Sequence, residues 1–356
     1  ECLTHPRNHP KMYWRLVFLS LGLSADICVA ISLATSTKYS GSSVEGTDGR
    51  AYVSFVHGMD YLAYAVVLTA SLHELGHRRP HVYLVRAGSP EERIVGAMAA
   101  EAQEMGWNLQ MQTYTPIELN FHTSFDIWDE AWQRVTLYGM TDRFERVLHL
   151  DTDMVAFSNF EDLLENGKVP TVARRMGSCS RPEDLCVNIP VSNFMLIAPD
   201  KRIDADIVAW LKNAGAGGNA DETVQFKIGY GGKVNLFSPK DFTYFDCFAN
   251  QQDEAIPAVG VSADRMPRVV HLGMPGKDAV EEFLRAGFSN ASTLDSYLAP
   301  SLIQGASAEQ AMKARVLSRW HELFASNQVQ RLLKFVSDSA DKTALLGITA
   351  TSRSCD

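Results

Sequence analysis

The chain lacks any Gly-x-Gly-x-x-Gly after its first strand-like segment, which removes most of the case for a dinucleotide-binding dehydrogenase. It also lacks a basic excess: a formal charge of −9 argues against a nucleic-acid partner held through its phosphates. The six cysteines, Cys2, Cys28, Cys179, Cys186, Cys247 and Cys355, are too scattered for a zinc site. Only Cys179 and Cys186 flank a common polar loop, where a disulfide of a lumenal compartment and two free thiols are both open readings. No internal repeat is present. What remains is a globular composition, 46% hydrophobic and 21% charged over 356 residues, enough for one sizeable catalytic domain with appendages.

Long apolar runs are scarce as well, with one exception. Leu16 to Ala34 is interrupted by a single charge, Asp26, and is preceded by Arg7, Lys11 and Arg15. After a tail over 1–11, residues 12–35 therefore read as a candidate signal anchor, with basic residues holding the N-terminal flank in the cytosol. A cleaved signal peptide and a buried N-terminal helix are the competing readings, because a mid-membrane carboxyl is unfavourable by about 2.5–3.5 kcal/mol on insertion scales. Residues 36–50, rich in Ser, Thr and Gly, read as a flexible stalk. A single-pass type II protein of the Golgi or another secretory membrane is the matching expectation, with cytoplasmic or secreted placement as the alternative. Asn290-Ala291-Ser292 is a glycosylation sequon, meaningful only in a translocated chain.

From Ala51 the pattern alternates. Ala51 to Val56, Pro80 to Val85, Leu109 to Tyr114 and Arg146 to Leu150 read as strands; Tyr61 to Leu75, Glu91 to Met105 and Ile127 to Met140 read as helices. This order predicts an α/β domain with a mostly parallel, Rossmann-like sheet and right-handed crossovers over 51–278. Asn159 to Glu165 predicts a short helix capped by Ser158, and Val191 to Ala198 and Arg268 to His271 predict later strands. Residues 279–356 predict a helical extension. Within it Ser307 and Gln310 form a capping box, and Val316, Trp320, Leu323 and Phe324 form an apolar stripe that packs onto the domain.

The segment Val147-Leu-His-Leu-Asp-Thr-Asp-Met-Val155 carries the chemistry. It places two carboxylates one residue apart where an apolar strand runs out, at the sheet edge where open α/β folds bind ligands. Aspartates there are costly unless a cation lies between them, and hard divalent ions prefer carboxylates together with substrate phosphates. An acidic protein that handles a diphosphate needs such a local cation. His271, with Lys277 six residues on, supplies an imidazole and a second positive charge after another strand. Taken singly, each residue has a plain structural reading: Tyr61 as a core aromatic, His271 as a strand-end histidine, Asp221 as a helix cap, Lys277 as a solvated lysine.

Together, residues 51 to 277 resemble glycosyltransferase family 8, the glycogenin-like and galactosyltransferase-like retaining enzymes of GT-A fold. Leu148-His-Leu-Asp-Thr-Asp-Met-Val155 with Asn159-Phe-Glu-Asp-Leu-Leu164 is close to that family's Asp-x-Asp strand and following helix. Ala51 to Tyr61 resembles its opening strand and nucleotide loop, which implies that Tyr61 stacks on uracil while Phe55, His57 and Gly58 wrap the uridine. Arg134 matches a lysine, Ser192 is retained from an Asn-Ser-Gly-Val strand of which Asn193 takes the Gly position, and Asp221-Glu222 resembles an Asp-Gln motif.

The resemblance implies retaining hexosyl transfer from a UDP-sugar to an acceptor hydroxyl of a glycan, protein or small molecule. Asp151, Asp153 and His271 would hold Mn²⁺, or Mg²⁺, with Thr152 and Ser192 among the donor-binding residues. Lys277 would clamp the diphosphate, Arg134 would meet a phosphate or sugar hydroxyl, and Asp221 or Glu222 would lie near the anomeric carbon. An inactive nucleotide-sugar or glycan binding module, and a metal-dependent nucleotide-sugar hydrolase or nucleotidyltransferase, are the alternatives.

Overall fold

A computed structural model describes residues 48–117, 132–176, 188–213, 221–245, 266–273, 276–277, 280 and 308–339. The candidate anchor over 12–35, residues 36–47 of the stalk, the Cys179–Cys186 loop, Asn290 and Ser307 lie outside the described residues, whereas Arg50, expected to end the stalk, already opens the first strand. No described helix is long and apolar enough to cross a membrane.

The fold is mixed α/β with a central, mostly parallel sheet. Its strands are β1 (Arg50–Val56), β2 (His81–Arg86), β3 (Leu109–Tyr114), β4 (Arg146–Leu150), β6 (Thr171–Met176), β7 (Asn188–Ile197) and β8 (Asn235–Leu236), in spatial order β3-β2-β1-β4-β7-β6-β8. Pairing is parallel from β3 through β4 and antiparallel on both sides of β7. Strand β1 is buried along nearly its whole length because both faces of the sheet are covered, so it reads as a continuous apolar run. Helices α1 (Leu62–Glu74) and α2 (Pro90–Glu104) make the two crossovers, β1-α1-β2 and β2-α2-β3.

The chain steps outward from β1 to β2 and β3, then returns to β4 on the other side of β1. This reversal is a topological switch point, where the carboxyl ends of two strands splay and open α/β sheets bind ligands. His57 follows β1 and Asp151 follows β4, one on each side of it.

A second sheet sits beyond that edge, formed by β5 (Met154–Ala156), β9 (Phe242–Tyr244) and β10 (Val269–His271) in order β5-β10-β9. Strand β10 runs antiparallel to β5, with His271 opposite Met154, and parallel to β9, with His271 opposite Tyr244. The chain passes from one sheet to the other through Asp151, Thr152 and Asp153.

Two expected elements differ. In place of an α-helix over Ile127 to Met140, the described part forms a 3-10 helix at Trp132–Gly139. The β-branched Val135 and Thr136 crowd an α-helical turn, and the Thr136 hydroxyl donates to the Gln133 carbonyl at 2.7 Å. The short helix α3 (Glu161–Asn166) has no Ser158 cap; Asn159 instead accepts from the Glu161 N–H at 2.9 Å. Helices α4 (Lys201–Asn213) and α5 (Asp221–Tyr230) pack together near the 3-10 helix.

Helix α1 is buried on almost every face, because the sheet lies on one side and helices α6 (Ala308–Phe324) and α7 (Asn327–Ser339) on the other. The stripe Val316, Trp320, Leu323 and Phe324 is buried in the same cluster as Val66, Val95 and Met98, so the two C-terminal helices complete the domain core.

One buried polar chain reaches the switch point. Carbonyls only accept, so Ser54 Oγ donates to Leu150 O at 2.7 Å and must itself accept from His81 Nε2 at 2.8 Å. His81 is fully buried, and burial lowers its pKa to about 3; its Nδ1 lies 2.8 Å from Thr69 Oγ1, whose hydroxyl donates to the Ala65 carbonyl at 3.0 Å. The Tyr83 hydroxyl in turn donates to Thr69 at 2.5 Å. The series ends on the carbonyl next to Asp151.

Trp320→Ala should destabilise the domain by about 3–5 kcal/mol through the cavity it opens. Urea unfolding checks this; a midpoint unchanged from wild type would mean that α6 is an appendage.

Candidate metal and nucleotide site

Strand β4 runs out at Leu150 because the next residues turn toward the second sheet. Asp151 N–H still donates to Asn193 O at 3.0 Å, one step past the Leu150–Phe194 rung. Leu272 N–H donates to Asp153 O at 2.9 Å and ties the other end of the turn to β10. The turn is thereby pinned to both sheets, and its two carboxylates face the gap between them.

His271 closes that gap. Its Nε2 lies 3.5 Å from Asp151 Oδ2 and 3.3 Å from Asp153 Oδ1. Ligand atoms of Asp151, Asp153 and His271 all fall within 4.8 Å of one another. Two carboxylates and an imidazole this close form an oxygen- and nitrogen-donor set suited to Mn²⁺ or Mg²⁺, and the residues fit such an ion.

The remaining partners are cationic or polar. Arg134, on the 3-10 helix, bonds both oxygens of Asp151 at 2.9 and 3.1 Å and Ser192 Oγ at 3.0 Å. Lys277 Nζ lies 2.8 Å from Asp153 Oδ2 and 4.9 Å from the centre of the Tyr61 ring. Protein cations therefore hold both carboxylates, where a phosphate or sugar partner is expected for Arg134 and Lys277.

Electrostatics follow from this packing. Burial alone would raise Asp151, but the Arg134 guanidinium and the bonds from His149 and His271 hold it well below the usual carboxylate range. Burial opposes ionisation of Asp153 too, yet His271 and Lys277 bring it to about 2. For His271 burial works downward and is outweighed by the two aspartates, Asp153 foremost, which raise it to about 9.

The expected nucleotide loop sits beside this centre. Phe55 is buried and stacks on His57 with ring centres 5.5 Å apart. Gly58 has φ 77°, a left-handed conformation that a side chain would strain, and it turns the chain from β1 toward the ring of Tyr61. Thr152 and Ser192 are buried in the site. Asp221 and Glu222 open helix α5, and their side chains lie outside the described residues.

Three further residues belong to the site. His149, fully buried, donates from Nδ1 to Val53 O at 3.0 Å and presents Nε2 to Asp151 Oδ1 at 3.3 Å. Asn193 donates its side-chain amide to Asp151 Oδ2, and Tyr244 donates its hydroxyl to Asn193 Oδ1 at 2.9 Å. A polar residue inside an apolar strand was the signal available for His149 and Asn193; Tyr244 carried none.

No protein-family model matches the sequence. No curated protein matches it either. Among solved structures the chain is similar to the glycosyltransferase GlyE of Streptococcus pneumoniae TIGR4, with TM-score 0.48, 13% identity, and coverage of 82% of this chain and 64% of that one. It is also similar to the galactosyltransferase LgtC in complex with donor and acceptor sugar analogues, at TM-score 0.48 and 14% identity, covering 79% of this chain and 100% of that one. A third is the bifunctional glycosyltransferase WbbM, at TM-score 0.49 and 11% identity, covering 82% and 52%. The chain thus spans 64% of the length of GlyE and 52% of that of WbbM. At such distances the chemistry has to be argued from the side chains.

A raised histidine stabilises the metal-free protein fully below its unfolded value of 6.5 and loses that contribution as pH rises through about 9. In the presence of EDTA, stability should therefore fall between pH 6.5 and 9, and His271→Gln should remove that part of the slope. Urea titrations across this range check it, and identical slopes in both proteins would contradict the assignment.

Proposed function

We propose that this chain is a glycosyltransferase of GT-A type that moves a hexosyl group from a UDP-sugar to an acceptor hydroxyl with retention of configuration. The observation that carries the reading is the convergence of Asp151, Asp153 and His271 at the switch point of a mostly parallel sheet. Dinucleotide chemistry is disfavoured there, since β1 is followed by His57-Gly58 without a glycine-rich turn.

In this reading Asp151, Asp153 and His271 hold Mn²⁺, with Mg²⁺ as the alternative ion. A divalent ion supplies Lewis-acid stabilisation of the charge that develops on a departing diphosphate. Arg134 orients Asp151 by gripping both of its oxygens and braces against Ser192. Tyr61 offers a ring face to the uracil, and Phe55, His57 and Gly58 form the wall beside it. Lys277 turns from Asp153 to the diphosphate and adds a fixed positive charge where the leaving group forms. Asp221 and Glu222, at the start of α5, are the carboxylates for the anomeric carbon. The apolar run over 12–35 makes a type II protein of the secretory pathway the matching placement.

Incubation with Mn²⁺ and UDP-glucose, UDP-galactose, UDP-xylose or UDP-glucuronate should release UDP and free sugar from at least one donor. UMP with sugar 1-phosphate would instead mark a hydrolase that cuts between phosphates, and a melting shift with UDP but no release would mark a binding module. Asp153→Ala should abolish turnover in a folded protein. Lys277→Ala should lower kcat by roughly 10²-fold, the usual loss for one preorganised charge partner, and an unchanged kcat would dismiss the lysine from the diphosphate.

A further inference from the structure

The bond from Tyr244 to Asn193 joins the two sheets on the flank of the metal gap. Asn193 is the antiparallel neighbour of Asp151 and holds it twice, by its carbonyl on the Asp151 N–H at 3.0 Å and by its side-chain amide on Oδ2. A carboxylate only accepts, so the Asn193 NH₂ must face Asp151 and its Oδ1 must face the Tyr244 hydroxyl, 2.9 Å away. Tyr244 is in turn the parallel neighbour of His271 and sets its ring edge-on to the imidazole, 4.9 Å between centres. The four side chains form a closed circuit: Asp151 and Asn193 from the large sheet, His271 and Tyr244 from the small one.

We propose that Asn193 and Tyr244 are positioning residues that clasp the two sheets together and thereby fix the width of the metal gap, selecting a small divalent ion against Ca²⁺. The inference rests on Asp151, Asp153 and His271 holding a divalent ion, as proposed above.

The sheets are joined covalently at the gap by a turn of three residues, and a turn can hinge. The clasp removes that freedom, because widening the distance from Asp151 to His271 would break the hydrogen bond from the Tyr244 hydroxyl to Asn193 Oδ1. Metal–oxygen distances separate the candidate ions: about 2.0–2.1 Å for Mg²⁺ against 2.3–2.6 Å for Ca²⁺, which also takes 6–8 ligands. A gap held narrow by a bridge outside the ligand set favours the smaller ion, and one freed from it adapts to the larger. Partners that orient ligands in this manner commonly change metal affinity by about 10–100-fold.

The test is the binding of Mn²⁺ and Ca²⁺, each alone, by calorimetry on the full chain without any sugar donor. Wild type should bind Mn²⁺ more tightly than Ca²⁺. Asn193→Ala should weaken Mn²⁺ by about 10–100-fold and Ca²⁺ much less, so that the ratio of the two affinities falls. Tyr244→Phe keeps the ring against His271 and loses only the hydroxyl; it should move the ratio in the same direction by a smaller amount, and it covers the case in which Asn193→Ala fails to fold. An unchanged ratio in both variants, or equal weakening of both ions, overturns the clasp while leaving the metal site standing. A wild-type protein that binds neither ion overturns the metal reading together with it.

Discussion

Two carboxylates are obliged to sit in a nearly dry gap because the chain must cross there from one sheet to the other. Asp151 follows the last residue of β4, Asp153 precedes the first of β5, and the backbone bonds from Asp151 to Asn193 and from Leu272 to Asp153 leave neither free to swing into solvent. Buried like charges have to be compensated. The surrounding residues are arranged to do so, with Arg134 on the first carboxylate, Lys277 on the second and His271 reaching both. The carboxylates that demand this compensation are also the groups a divalent cation would take, and in the proposed reading Lys277 would then be free to leave Asp153. In the proposed reading the metal ligands and the diphosphate clamp would be one device, with Lys277 holding Asp153 where an ion would otherwise draw on it.

The large sheet keeps this arrangement rigid. Beyond the Val53–His149 rung β1 and β4 part, and main-chain pairing alone would let their ends drift. Two side chains close the split: Ser54 on the Leu150 carbonyl and His149 on the Val53 carbonyl. Behind Ser54 the series through His81, Thr69 and Tyr83 ties β1, β2 and α1 to the residue before Asp151. The loop after β1 and the carboxylates after β4 are thereby held in fixed register.

Much of this is legible in the sequence, for identifiable reasons. The strands β1, β2 and β4 are apolar runs because they are buried on both faces, and the alternation with α1 and α2 announces a parallel sheet. Asp151 and Asp153 stand out because charge at the end of such a run is costly. What is not legible depends on register. Asn193 faces Asp151 because β4 and β7 pair antiparallel with Leu150 opposite Phe194, and Tyr244 faces His271 because β9 and β10 pair parallel. Neither pairing follows from local pattern. Arg134 is visible as a cation near the site, but its grip on Asp151 follows from the 3-10 winding of residues 132–139, which aims it differently from the α-helix expected there.

Asn193 also shows how local departure from a family pattern can be compensated within the same fold. In the motif that the β7 segment resembles, this position is a glycine, so an asparagine here adds a side chain at the edge of the gap. That side chain is not a passive obstruction. It takes up one lone pair of Asp151 Oδ2, and it needs a donor for its own carbonyl oxygen, which Tyr244 provides from the other sheet. The asparagine thus creates a bridge between sheets where a glycine would leave none, and it stiffens the carboxylate and imidazole cluster that it adjoins. The space at this edge of the gap and the stiffness of the cluster of Asp151, Asp153 and His271 are linked through this one position, so a change that enlarges the first must loosen the second.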